Sequence, residues 1–138
     1  MYLIGFPLLV IPFAIYNMLA FLTPGLGWTD TTLSFQLVSG QLWTVTTEDL
    51  LLTLAILLLP IEILKATRIG VRSIVDHVLS MVLFVAMLVE FILVPQAGTS
   101  TFFILMMISI VDVVAGFIVK LRTAQRDMTI EKVGALTS

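Results

Sequence analysis

IVDHVLSMVLFVAMLVEFILVP, residues 74–95, decides the fold class. It is long enough to cross a hydrocarbon core of about 30 Å, which takes about 20 helical residues. Its ionisable groups are Asp76, His77 and Glu90. On a helical wheel, Ser73, Asp76, Ser80, Leu83, Met87 and Glu90 fall on one face about 100° wide, with apolar side chains elsewhere apart from His77. That pattern predicts a membrane helix with one face toward protein and the rest toward lipid.

Three further runs extend the reading outward. Residues 2–22, 48–65 and 101–120 are each predicted to span, the second only if the Glu48 and Lys65 flanks stay helical at the interfaces. The composition agrees. Of 138 residues, 59% are hydrophobic and 12% charged, against about 45–50% and about 25% in soluble domains. The mean hydropathy is +1.15. The expected fold is an all-α membrane protein: one domain, a four-helix bundle with a small outer β-hairpin between the first two helices. The first run has no basic start and no small-x-small cleavage site, and it carries Pro7 and Pro12, so it reads as a retained span rather than a signal peptide. The two prolines are expected to bend it.

Orientation follows from the bases. Lys65, Arg68 and Arg72 lie between the second and third runs; Lys120, Arg122, Arg126 and Lys132 follow the fourth. The segments facing the other way carry Asp30, Glu48 and Asp49 and no base. Both ends of the chain and the 66–73 loop are therefore expected on the cytoplasmic side, with residues 23–47 and 96–100 outside and 121–138 a cytoplasmic tail. A bacterial inner membrane is the expected location, on small size and clean charge asymmetry.

Within residues 23–47, Leu33, Phe35 and Leu37 alternate with Ser34 and Gln36, and Trp43 and Val45 alternate with Thr44 and Thr46. Period-two patterning around Ser39-Gly40 predicts a hairpin; the alternative is an irregular loop on the membrane surface. A two-residue loop would set Phe35 opposite Thr44. A loop of Ser39-Gly40-Gln41 sets Leu37 against Trp43 and Phe35 against Val45, and is preferred because it gives one apolar and one polar face. Phe35, Leu37, Trp43 and Val45 are then the expected contact with another chain. Trp28 and Gly40-Gln41-Leu42-Trp43, in an outer loop between the first two of four spans, resemble the layout of the claudin family. The paired cysteines of that family are absent, since the chain has none, and the resemblance implies layout only.

Charge inside a span costs about 2.5–3.5 kcal/mol on insertion scales, so each such residue is a candidate site. Asp112 lies about 16 Å along the fourth helix from Thr101, near mid-membrane. Ser109 and Gly116 share its face. It is expected to be protonated, hydrogen-bonded to a neutral group such as Asn17, or next to water. Glu90 lies about 7–8 Å inside the outer end, where it either reaches the interface or forms a carboxylate path with Asp112. Glu62, Lys65, Arg68, Arg72, Asp76 and His77 form an expected cluster at the cytoplasmic interface. Glu62 and Lys65 are spaced to pair, as are Arg72 and Asp76; the expected role is interfacial pairing and attraction to anionic headgroups, with His77 solvated.

No nucleotide loop, zincin helix or nucleophile elbow is present, so no catalytic residue, cofactor or metal site is expected. The net charge of −2 gives no reason to expect a nucleic-acid partner. Two functional readings follow. The first is a non-catalytic structural or accessory membrane subunit that self-assembles or packs in a larger membrane complex. The alternative is an oligomeric ion channel or proton-coupled transport subunit using Asp112 and Glu90.

Overall fold

A computed structural model describes residues 6–137, apart from the side chain of Asp127. Residues 2–5 of the first expected span and Ser138 of the tail lie outside the described residues. Among the described residues the chain is mostly helical: α1 (Val10–Leu22), α2 (Thr47–Lys65), α3 (Val71–Leu93) and α4 (Ser100–Thr137), with strands β1 (Thr31–Gln36) and β2 (Leu42–Thr46) between α1 and α2. α4 packs most extensively against α3 and α2, while α1 lies against α2.

α3 and α4 are long and apolar enough to cross a membrane. α2 carries Glu48, Asp49, Glu62 and Lys65 at its ends, which is why its central apolar run is short. α1 is about 20 Å long. Its prolines start the helix rather than bend it. Pro7 precedes it in a turn whose carbonyl accepts the Val10 N–H at 3.2 Å. Pro12 falls in the first turn, where a missing N–H removes no intrahelical bond. Pro60, in contrast, lies inside α2.

The other helix ends are explained locally. Thr46 and Asp49 form a capping box at the start of α2: the Asp49 N–H donates to Thr46 Oγ1 at 3.2 Å, and the Thr46 N–H to Asp49 Oδ2 at 3.0 Å. Gly70, at φ +123°, turns the chain into α3. Pro95 ends α3 and opens a short 3-10 turn. α4 then runs for 38 residues, about 57 Å. The sequence reading ended the apolar part at 120; the segment after it continues the same helix.

The hairpin is antiparallel, with Leu33 opposite Val45, Ser34 opposite Thr44 and Phe35 opposite Trp43. Neither expected register is correct. The chain reverses over Val38-Ser39-Gly40, closed by the Gly40 N–H to the Leu37 carbonyl and the Leu37 N–H to the Gln41 carbonyl, both at 2.9 Å. Gly40, at φ +89°, supplies the left-handed last residue that a three-residue connection needs. The register is displaced by two from the preferred expectation, so parity is kept and the apolar side chains still share a face. Val45 leaves that face as a free surface: it is buried, whereas Phe35, Leu37 and Trp43 are 49%, 44% and 52% exposed.

Buried apolar side chains fill the middle of the bundle. Tyr16, Met87, Phe102 and Leu105 are sealed. Phe102 is the hub, with the Tyr16 ring edge-on at 5.0 Å and the Phe91 ring parallel at 6.2 Å. The buried residues of α3 are Ser73, Asp76, Ser80, Leu83 and Met87, which is the face the wheel assigned to protein. Its other faces leave Ile74, Val78, Val82, Val85 and Ile92 largely exposed.

Candidate functional site

The charged residues of α2, α3 and α4 converge on one buried cluster. Lys65 is its centre. Its Nζ donates to Glu62 Oε1 at 3.0 Å and to the Phe6 carbonyl at 2.8 Å, and lies 3.3 Å from Asp76 Oδ2. Glu62 Oε1 also accepts the Leu8 N–H at 2.7 Å. Two ion pairs that share Lys65 thus fasten the chain entering α1 to the C-terminal end of α2 and to α3. Glu62, Lys65 and Asp76 are only 3%, 8% and 6% exposed. The Glu62–Lys65 contact expected from the spacing is present. These groups are inside the bundle, where an ion pair is sustained only by good geometry and further hydrogen bonds.

Asp112 joins this cluster and not Asn17. Asp112 is 5% exposed, its carboxyl within hydrogen-bonding reach of Ser80 and close enough to Glu62, Asp76 and Lys65 to feel their charges. Lys120 reaches back from the end of the fourth apolar run to hydrogen-bond Ser73. Three carboxylates therefore share the region with two ammonium groups, and Asp112 is the carboxylate that Lys65 does not touch directly. The expected Arg72–Asp76 pair is replaced by Lys65–Asp76, and Arg72 is exposed. Arg68 is exposed as well. Ser109 is buried on the Asp112 face.

Between these side chains lies a cavity of about 10 Å³, lined by Glu62, Asp76, His77, Ser80, Asp112 and Gly116 among others. That is about the room needed for a single water. His77 Nε2 is sealed from solvent and has no hydrogen-bond partner among the described residues. At that nitrogen His77 is not solvated, although the residue as a whole is half-buried. Gly116 makes its placement possible: a Cβ there would sit 3.0 Å from His77 Nδ1 and 3.3 Å from Cε1.

Glu90 belongs elsewhere. It is half-buried at the outer end, where Asn17 Nδ2 donates to it at 3.4 Å and to the Phe13 carbonyl at 3.1 Å. Along α3, ten residues separate Ser80 from Glu90, about 15 Å, and the intervening protein-facing residues are Leu83 and Met87. Asp112 and Glu90 are thus not brought together.

Tyr16 is the residue that sequence reasoning missed. Its hydroxyl donates to the Gln96 carbonyl at 2.8 Å and lies 2.7 Å from Thr99 Oγ1, joining α1 to the α3–α4 connection. Trp28 stacks on its ring at 4.5 Å, with planes 6° apart, and the Trp28 carbonyl accepts the Glu48 N–H at 2.9 Å. The available signal was a phenol inside an apolar run, since a buried hydroxyl needs a partner. The outer acids also have local work: Asp30 accepts the Gly27 N–H at 2.9 Å, and Asp49 completes the α2 cap.

No protein-family model matches the chain, and neither a curated protein nor a solved structure does. The claudin-like layout therefore stays a likeness of arrangement.

Proposed function

We propose that this chain is a non-catalytic integral membrane subunit that crosses the bilayer four times, with both ends cytoplasmic, and packs against copies of itself or other membrane proteins. The observation that carries the reading is the apolar layer around Met87, Phe102 and Leu105, which separates the inner ionic cluster from the outer Asn17–Glu90 pair. An ion path through one copy would have to cross that layer. The exposed apolar surface of α3 and α4 supports lipid contact, because a water-soluble exterior seldom shows contiguous apolar area on this scale. The charge asymmetry supports the orientation and is compatible with a bacterial inner membrane. The exposed hairpin face of Phe35, Leu37 and Trp43 supports contact with a neighbour, since a lone two-stranded hairpin is marginal in water.

The water-sized cavity beside Asp112 and the partnerless His77 Nε2 favour a second reading, in which the inner cluster handles a proton for a larger transport complex. One experiment separates the two. The purified chain is reconstituted alone into vesicles holding a pH-sensitive dye, and its assembly state is measured by light scattering in mild detergent. The accessory reading expects self-association and no chain-dependent proton flux. A flux that disappears in Asp112→Asn, with assembly unchanged, would replace it with the transport reading. For the hairpin, Phe35→Ser combined with Trp43→Ser is expected to lower the associated fraction while leaving insertion intact; an unchanged fraction would remove the hairpin from the interface.

A further inference from the structure

We infer that the groove between the α2–α3 turn and the inner part of α4 is a binding site for one anionic phospholipid. The groove encloses about 280 Å³ and is lined by Arg68, Ile69, Gly70, Ile74, Lys120 and Ala124, with Ala66 and Thr123 completing it. Its chemistry is divided as a phospholipid is divided. Arg68 supplies positive charge for a phosphate, and Lys120, whose ammonium also hydrogen-bonds Ser73, adds to it. Ile69 and Ile74, 77% and 58% exposed, supply an apolar wall for the start of an acyl chain.

Gly70 and Ile74, either side of the first residues of α3, line the same groove. Helix ends leave backbone N–H groups without intrahelical partners and carry partial positive charge, which favours an anion. No side chain caps this end, and the first turn holds no acidic residue. At Gly70 a Cβ would meet nothing within 4 Å, so the space beside the helix start is open. α2, in contrast, begins with its own carboxylates and a capping box. A second basic groove, of about 340 Å³ and lined by Arg122, Thr123 and Arg126, continues along α4. All seven Lys and Arg of the chain lie between 65 and 72 or between 120 and 132, so charge complementarity selects an anionic lipid over a zwitterionic one.

This inference rests on the membrane reading but goes beyond it, and the two can fail separately. The lipid-stripped full chain, in mild non-ionic detergent, is titrated with phosphatidylglycerol or phosphatidylcholine and weighed intact by native mass spectrometry. One tightly held phosphatidylglycerol per chain is expected, with more than about tenfold preference over phosphatidylcholine. A cation at a membrane surface contributes roughly fivefold in binding, so Arg68→Gln with Lys120→Gln should weaken retention by more than about tenfold. Ala124→Trp, which fills the groove without changing charge, should weaken it similarly. Arg126→Gln with Lys132→Gln removes the same charge outside this groove and should change retention by less than about twofold. Equal losses in the two charge-removing pairs would mean diffuse attraction and overturn the site. So would full retention in Ala124→Trp, or displacement of the lipid by inorganic phosphate at matched ionic strength. A chain that inserts into vesicles but shows no lipid preference refutes this inference alone; a chain that does not insert refutes the membrane reading.

Discussion

The two ends of the bundle are held together by opposite means. At the inner end, the one proposed to be cytoplasmic, Lys65 makes buried ion pairs with Glu62 and Asp76, and Lys65 and Glu62 also hold the backbone at Phe6 and Leu8. At the outer end, Tyr16 makes neutral hydrogen bonds to Gln96 and Thr99 and stacks on Trp28. Both tie α1 to the rest, but their costs of failure differ. A buried ion left without its partner is far more unfavourable than a lost neutral hydrogen bond. The inner end is therefore the brittle one, and the outer end should tolerate change.

That contrast can be broken most severely at Lys65. Lys65→Met leaves Glu62 and Asp76 buried without their ammonium, and is expected to cost about 3–5 kcal/mol in detergent unfolding. Adding Glu62→Gln and Asp76→Asn should recover most of it, because the set is then neutral; no recovery would mean the lysine stem, not its charge, matters. Next is Gly116→Ala, whose Cβ would press on the His77 ring. About 1–3 kcal/mol of destabilisation is expected, and it should shrink in the double variant with His77→Ala. At the outer end, Tyr16→Phe keeps the ring stack and removes the hydroxyl, at an expected cost of about 1 kcal/mol. A loss as large as that of Lys65→Met would erase the distinction between the ends. The smallest effect is expected at Glu90→Gln, within about 0.5 kcal/mol, because glutamine can still accept from Asn17 across a long 3.4 Å contact.

The faces of the helices were legible in the sequence, and the partners across them were not. The wheel for α3 selected Ser73, Asp76, Ser80, Leu83, Met87 and the half-buried Glu90, the first five of them buried, because one helical face is fixed by a period of 3.6 alone. It could not say which helix lies opposite. Helical depth leaves Asp112 with no ion-pair partner at its own level, but Lys65 has a long stem that carries its ammonium inward from the end of α2, close enough for Asp112 to feel its charge. Depth of the Cα is a poor guide to the depth of such a charge. The hairpin shows the same division. Alternation fixed which side chains share a face, while register depended on where Gly40 would be used, and Val38 gave no sign that it would enter the turn. The start of α1 at Val10 was hidden for a related reason: hydropathy does not distinguish an apolar turn before a proline from an apolar helix.

Membrane topology is the most direct test of the account. The chain has no cysteine, so Thr31→Cys, Ile69→Cys, Gly98→Cys and Ile130→Cys each introduce a single thiol. Intact cells or sealed right-side-out vesicles are treated with a membrane-impermeant maleimide, before and after permeabilisation. Labelling is expected at positions 31 and 98 in sealed preparations, and at 69 and 130 only after permeabilisation. Labelling of position 69 from outside, or equal labelling of all four without permeabilisation, would contradict a four-span chain with both ends cytoplasmic.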